Sequence, residues 1–541
     1  MSIIDILRAP DSIRIETADG FLDGKIVDGV YNFEDIKVEL LFTQYGMEAH
    51  LSAVRPISRV ILRFEQNIEN ISYLNDAFER AYGNLMWHST IIPEMAMPWY
   101  FIVQDKSTKA SQGIGVMTTP NALCFWQMDS HGVTLMLDVR SGALGVELNG
   151  NTLNMATIIS RNSKDGENAY ELYQKFALDM CERPILADFP VYGGNNWYYS
   201  YGFSTHKNII TDSKLMSELA PNKNNRPFMV IDSCWQQSES RCTCPGGPYD
   251  RGNAYFPSMS GLASEMREIG VRPGIWMRPL LTSERMPDEM FLTYKRTTQT
   301  PFEGDVLDPT HKDSLALIHE DIKRIISWGY ELIKHDFSTH DITSSMWSPI
   351  SARVSEVNGW GFYDRSKTTA EAIKMVYQTI LDASCGKALI IGCNTVTHLT
   401  AGYAHIQRTG DDTSGRVWDR TRRMGVNALA FRMPQHKAFY LCDADCVGIT
   451  ENIPWELNEQ WLELLAKSGT PLFISADPKV VTTRERDAII KAFTLASEDI
   501  PAGVPLDWEN TSTPTKWILQ GKEETFNWND KNGNILLSDQ V

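Results

Sequence analysis

Three kinds of segment are missing from this sequence, and each absence removes a class of function. No run of lysines and arginines occurs, and 51 Lys+Arg against 68 Asp+Glu leaves a net charge of −17. That balance repels phosphate backbones and anionic lipid, so neither a nucleic-acid nor a membrane partner is expected. No stretch approaches the roughly 18 apolar residues that span a bilayer, and the start Met-Ser-Ile-Ile-Asp-Ile-Leu-Arg has no basic segment leading into an apolar one. A cytoplasmic location is the expectation on that ground. No glycine-rich phosphate loop follows a predicted strand, and no His-x-x-His or His/Cys pair has ligand spacing, which argues against nucleotide and metal chemistry. No cofactor is expected.

Cysteine is scarce and scattered: nine in 541 residues, an odd number, which predicts reduced thiols. Cys234, Cys242 and Cys244 cluster, yet Cys-x-Cys lacks the spacing of common zinc sites and no His pair accompanies it. Low-complexity tracts are absent too. At 541 residues with 43% hydrophobic and 22% charged side chains, the chain has material for several packed domains.

What is present changes character along the chain. Up to about residue 185, short runs such as Ser58-Arg-Val-Ile-Leu-Arg-Phe-Glu alternate apolar and polar positions between Gly, Asn and Asp, which predicts an antiparallel β-sandwich over 1–185. From 186 to 498 apolar β-branched runs alternate with stretches of helical period, the signature of βα units. Eight strands are expected, at Val191–Trp197, Pro227–Cys234, Val271–Arg278, Glu331–Asp336, Ala388–Cys393, Ile406–Asp412, Ala438–Cys442 and Pro471–Ser475. The clearest helices are expected at Asp313–Trp328, Ser366–Ala383, Asp419–Leu429, Asn458–Ser468 and Thr483–Leu495. Eight such units predict a closed (β/α)₈ TIM barrel with its site at the C-terminal strand ends. Residues 499–541, with Trp508, Trp517, Phe526 and Trp528 among turn residues, predict a short C-terminal β region.

Polar residues at those strand ends are the ones that core burial does not explain. They are Asn195-Asn196-Trp197, Asp232-Ser233-Cys234-Trp235, Trp276 with Arg278, Lys334-His335-Asp336, Cys393-Asn394 and Arg408 through Asp412. Carboxylates, cations, amides and tryptophans around one mouth suit a sugar, whose hydroxyls need hydrogen bonds and whose apolar face needs an aromatic. Glycoside cleavage requires one carboxylate and one carboxylic acid on different elements, and Asp336 and Asp412 meet that need. Lys334, two positions before Asp336, faces the same side and favours its ionised form. Asp411 competes with Asp412 for the acid role. The strand alternation puts Asp412 on the side of Arg408, and a neighbouring Asp411 would raise its pKa. Arg278, His335, His398 and His405 are expected to support the barrel through hydrogen bonds.

At these positions the chain resembles clan D glycoside hydrolases, families 27 and 36, the melibiase-like α-galactosidases, over roughly Tyr192 to Asp477. Gly194-Asn-Asn-Trp-Tyr is similar to the family's Gly-x-Asn-Ser-Trp and implies a pocket wall at Trp197. Asp232-Ser233-Cys234-Trp235 is similar to Asp-Asp-(Cys/Gly)-Trp. Lys334-His335-Asp336 resembles the Lys-x-Asp that holds the nucleophile. Arg408, Asp412 and Trp418 resemble the family's Arg, the acid/base four residues on, and a following Trp. Asp443-Ala-Asp445 and Pro471-Leu-Phe-Ile-Ser475 also resemble family features, and an upstream sandwich is more like family 36 than 27.

The resemblance implies a retaining α-glycosidase that releases a terminal α-linked galactose-like unit by double displacement, without cofactor or metal. Trp197, Asp232, Trp235, Trp276, Lys334, Cys393, Asn394 and Arg408 would contact the glycoside or oligosaccharide substrate. One departure bears on specificity: the second Asp, which helps hold the 4- and 6-hydroxyls of galactose, is Ser233 here. An α-N-acetylgalactosaminide or a β-L-arabinopyranoside is therefore an alternative glycone. Transglycosylation and sugar binding on a decayed barrel are the other readings, and the sandwich is a candidate contact in a homo-oligomer.

Overall fold

Alternating burial organises the first third of the molecule. The strand Gly46–Ala53 buries every second residue, Met47, Ala49, Leu51 and Ala53, and its neighbour Ile36–Thr43 buries Ile36, Val38 and Leu40 in the same way. Such a strand has one face for a core and one for water. In this computed structural model, which describes residues 2–237, 245–293, 304–343 and 359–534, the strands form two antiparallel sheets of six and seven. Together they make the N-terminal β-sandwich.

A helix, Ala169–Met180, closes the outer face of the larger sheet. It starts at a capping box in which Asn168 and Glu171 satisfy each other's backbone N–H groups. Its Phe176 lies so close to the strand Ser111–Val116 that a Cβ on Gly113 would stand 2.4 Å from the ring. Only glycine permits that contact.

The expected (β/α)₈ barrel follows. Its strands are Tyr192–Asn195, Phe228–Ile231, Arg272–Met277, Leu332–His335, Leu389–Gly392, Ile406–Arg408, then Leu441–Asp443 with Cys446–Ile449, and Leu472–Ala476. All pair in parallel in one sheet. The seventh strand differs from the expectation of Ala438–Cys442: it starts later and is broken at Ala444-Asp445, where Asp445 has φ 72°. Its first half pairs with strand six and its second half with strand eight, and this closes the ring.

Strands one to six are all shorter than the sequence predicts; the second ends at Ile231, so Asp232 to Cys234 lie beyond it. The first ends at Asn195, and Trp197 opens a short helix, Trp197–Ser200. The sixth ends at Arg408, so Gly410 to Asp412 belong to the loop beyond it and not to the strand. Helices lie at Lys312–Trp328, Thr369–Ser384, Trp455–Lys467 and Thr483–Ala496. The expected helix Asp419–Leu429 is part of a longer helical stretch from Trp418 to Arg432 whose middle, Thr421–Asn427, is a widened π-helical segment. Such insertions are frequent at functional sites.

The C-terminal β region is a three-stranded sheet, Val504–Pro505, Lys516–Leu519 and Lys522–Thr525. Its tryptophans are anchors. Trp528 stacks on Trp418 and accepts its indole N–H at 2.9 Å, and Trp508 packs edge-on against Trp87 and Tyr170. No described helix is long and apolar enough to cross a membrane.

Candidate active site

Strands one to four deliver a connected set of side chains to one end of the barrel. The Asp232 carboxylate accepts from Lys334 Nζ and from Asn195 Nδ2, both at 2.7 Å, and from the Ser233 backbone N–H at 2.8 Å. Asn196 Oδ1 in turn accepts the Asp232 N–H at 2.8 Å. Lys334 therefore pairs with Asp232 across strands, not with Asp336 as the spacing suggested. Burial works against its charge, but Asp232 beside it holds the ammonium well above its ordinary range.

Asp336 follows strand four directly. Its Oδ2 accepts the Trp276 indole N–H at 3.1 Å, and its Oδ1 accepts the Phe337 backbone N–H at 2.7 Å. Two donors fix the orientation of the carboxylate. Phe337 has φ 63°, a left-handed conformation that costs energy for a bulky residue. The helix Ser338–Thr343 after it is pinned by Asp341, whose ion pair with Arg278 is 2.6 Å and fully buried. Arg278 thus supports the turn that carries Asp336. His335 stays neutral, burial pushing it down to about 3, and His398 is likewise pushed down to about 4.

Trp276 and Trp235 are both buried, 1% and 0% exposed. Trp235 is fully buried behind Trp276, gives its indole N–H to the Trp276 carbonyl at 2.8 Å, and packs on Tyr249 and Trp328. Neither Trp235 nor Trp276 has an exposed ring face, which differs from the expectation that both contact a sugar. Trp197 remains partly exposed beside Tyr201. Asn394, at φ 52°, spends its Oδ1 on the His340 backbone N–H, while its buried Nδ2 has no partner. Cys393 accepts a long contact, 3.6 Å, from Arg408 Nη1.

Arg408 is the hub of the opposite side. It lies 2.8 Å from Asp445 and 3.1 Å from Asp412, and Asp445 also accepts from Thr413 and from the Tyr198 hydroxyl. The break in strand seven is what turns Asp445 toward Arg408. Asp443, at the other side of that break, is pushed up to about 6 by burial.

Asp411 and Asp412 part company in the loop. Asp411 is buried, with Arg420 at 2.7 Å and Arg80 at 3.1 Å, whereas the Asp412 side chain keeps 35% of its exposure. The expected elevation of the Asp412 pKa by Asp411 is corrected by this arrangement. Burial does push Asp412 up, but Arg408, Arg80, Lys334 and Arg420 outweigh it and hold the carboxyl well below the usual range.

Sequence reading missed Arg80, Glu79 and Arg420. The first two come from the sandwich, on a turn that no local pattern connects with a barrel more than three hundred residues later. Trp418 lies against Trp528, as described above. Cys242 and Cys244 lie outside the described residues, and among those described no cluster of His, Cys, Asp and Glu could hold a metal ion.

Comparison with models of known protein families and with curated proteins finds no match in either case. Solved structures do match. An α-galactosidase from Thermus thermophilus, solved with p-nitrophenyl α-D-galactopyranoside, gives a TM-score of 0.58 at 13% identity over 95% of this chain and 98% of the other. The family 36 α-galactosidase AgaA from Geobacillus stearothermophilus, solved with 1-deoxygalactonojirimycin, gives 0.62 at 13% identity over 94% and 79%. The galactosidase domain of an α-galactosidase-sucrose kinase gives 0.61 at 15% identity over 90% and 73%. The chain has the fold of the family 36 α-galactosidases, sandwich and barrel together.

Proposed function

We propose that this chain is a retaining α-glycosidase acting on a terminal galactose-like sugar, with Asp336 as nucleophile and Asp412 as acid/base. The observation that carries the reading is the division of labour between the two carboxyls. Asp336 is fixed by two N–H donors at the end of strand four, and Asp412 alone of the pair 411–412 keeps an exposed carboxyl. The likeness in fold to α-galactosidases supports it.

In this reading Asp412 takes up a proton as the substrate binds; Asp336 then attacks the anomeric carbon while that proton passes to the departing oxygen, giving a covalent glycosyl-enzyme. Water then attacks that carbon as Asp412 takes its proton and Asp336 is released. In this reading Asp232 and Lys334 bind glycone hydroxyls, and Arg408, Cys393 and the unpartnered Asn394 Nδ2 serve the other side. Partly exposed Trp197 would supply the aromatic face, while Trp276 orients Asp336. Ser233 offers a neutral hydroxyl where a carboxylate would give charge-assisted bonds about twice as strong, which favours a glycone less dependent on its 4- and 6-hydroxyls.

The deciding experiment sets nitrophenyl α-galactoside, α-N-acetylgalactosaminide and β-L-arabinopyranoside side by side, with Asp336→Asn as control. Turnover of at least one is expected from the parent and none from the variant. Full turnover by Asp336→Asn would falsify the nucleophile assignment.

A further inference from the structure

The turn Asp76–Tyr82 leaves the sandwich after the strand Ile71–Asn75 and reaches the barrel rim. Backbone bonds in both directions fix it to the end of strand six: Ala81 N–H to the Thr409 carbonyl and Asp411 N–H to the Ala81 carbonyl, each 2.9 Å. Arg432 grips both partners at once. It bonds Asp76 at 2.8 Å, the Glu79 carbonyl at 2.6 Å and the Thr409 carbonyl at 2.9 Å.

What this anchoring delivers is Arg80, only 4% exposed, between two aspartates. Its Nη1 lies 3.1 Å from Asp411 and 3.7 Å from Asp412, and its buried Nε has no partner. Asp411 is held from behind by Arg420 and Asp412 from below by Arg408.

We propose that Arg80 is a positioning residue for the acid/base: one guanidinium spans the two adjacent aspartates, keeps Asp411 turned into the wall, and leaves Asp412 facing the sugar. The inference rests on the reading of Asp412 given above. Each turnover removes a proton from Asp412 to the leaving oxygen and returns one from water, so the carboxyl alternates between neutral acid and anion. A cation within about 4–6 Å favours the anion, and Arg80 therefore sets how readily the proton leaves.

The groups facing Asp412 come from every neighbouring element. The sandwich turn brings Arg80, with Glu79 and Tyr82 behind it; strand four brings Lys334; strand six and its loop bring Arg408 and Asp411; the following helix brings Arg420; Asp445 and Tyr198 close the far side. Glu79, the nearest rival for Arg80, is pushed up to about 7 by burial and so leaves Arg80 to the aspartates below that pH.

The test is the pH profile of kcat/KM on an aryl α-glycoside that the parent cleaves, for Arg80→Gln, Arg80→Lys and Asp411→Asn. Arg80→Gln should move the alkaline limb up by about one pH unit or more, and should cost about a hundredfold on a poor leaving group but less on dinitrophenolate. Arg80→Lys should return the limb toward the parent. Asp411→Asn, which leaves Arg80 wholly to Asp412, should move it down. A limb that stays in place in Arg80→Gln, or moves equally in Arg80→Lys, overturns the proposal. If Arg80→Gln does not fold, Asp411→Asn decides alone: a limb unchanged or raised overturns it. A parent inactive on every glycoside instead overturns the reading of the site, and this inference with it, before any variant is compared.

Discussion

Trp276 shows how much a single side chain can carry at this rim. Its carbonyl takes the Trp235 indole N–H and its own N–H reaches Asp336. Trp276→Phe removes that last bond and also part of a buried ring. A hydrogen bond to a charged group contributes roughly 1.5–3 kcal/mol, so kcat/KM should fall about tenfold or more, and the cavity should lower the melting temperature as well. Unchanged kinetics would show that the bond does not serve Asp336. A second residue predicts a pH effect on stability. Burial pushes Asp212, bonded by the Tyr199 hydroxyl, up to about 7. A carboxyl raised in the folded state gives stability that is complete below its unfolded pKa of about 3.9 and is lost as pH rises through the folded value. Asp212→Asn, neutral throughout, should match the parent near pH 4 and melt progressively higher than it toward pH 7, then keep a constant lead. Parallel curves would contradict that assignment.

Among the elements, the end of strand six is the most constrained. Gly410 pairs with Ala81 from the sandwich while its other side touches the π-helical segment, where an added Cβ would meet the Met424 carbonyl at 1.9 Å. Gly410→Ala must push strand end and helix apart, and overpacking of this kind typically costs about 1–3 kcal/mol. Because the displaced loop carries Asp411 and Asp412, activity should fall more steeply than the melting temperature, and equal losses would argue that the loop relaxes without moving them. The same element shows where sequence reading stops. Asp232, Lys334, Asp336 and Arg408 were legible because each ends an apolar β run, a pattern local to a few residues. Facing beyond the strand was not legible: alternation was applied to Asp411 and Asp412, but the strand ends at Arg408, and guanidinium partners decide which carboxyl is exposed. Strand seven was misplaced because Asp443-Ala-Asp445 reads as a terminus, whereas the chain resumes the sheet at Cys446. Trp235 illustrates a third limit, since a strand-end position does not say whether a ring faces the pocket or the layer behind.

At the scale of the molecule, sandwich and barrel are joined by buried polar chemistry as well as by apolar packing. Arg432, fully buried, forms the central joint, holding Asp76 while Gln435 and Tyr100 occupy that carboxylate's other oxygen. Removing one partner of such a pair leaves an uncompensated charge, at about 3–5 kcal/mol. Arg432→Ala should therefore lower the melting temperature clearly and reduce turnover as well, because the turn that presents Arg80 loses its anchor. A variant with parent-like melting and activity would show the joint to be dispensable. Fold class was legible at this scale, through the change from two-residue alternation to βα rhythm near residue 186; the docking of one part on the other was not, since its contacts link residues hundreds of positions apart, 76–82 with 409–435 and 116–145 with 360–398 among them.

The Asp76–Tyr82 turn also bears on inheritance. A barrel that recombines with a sandwich lacking an arginine at the place of Arg80 keeps both candidate carboxylates, yet loses the cation that lies against Asp411 and Asp412. Exchange of the two parts between relatives is then penalised even when each folds well, and the stretch that must be transmitted together runs from the sandwich turn to the seventh strand.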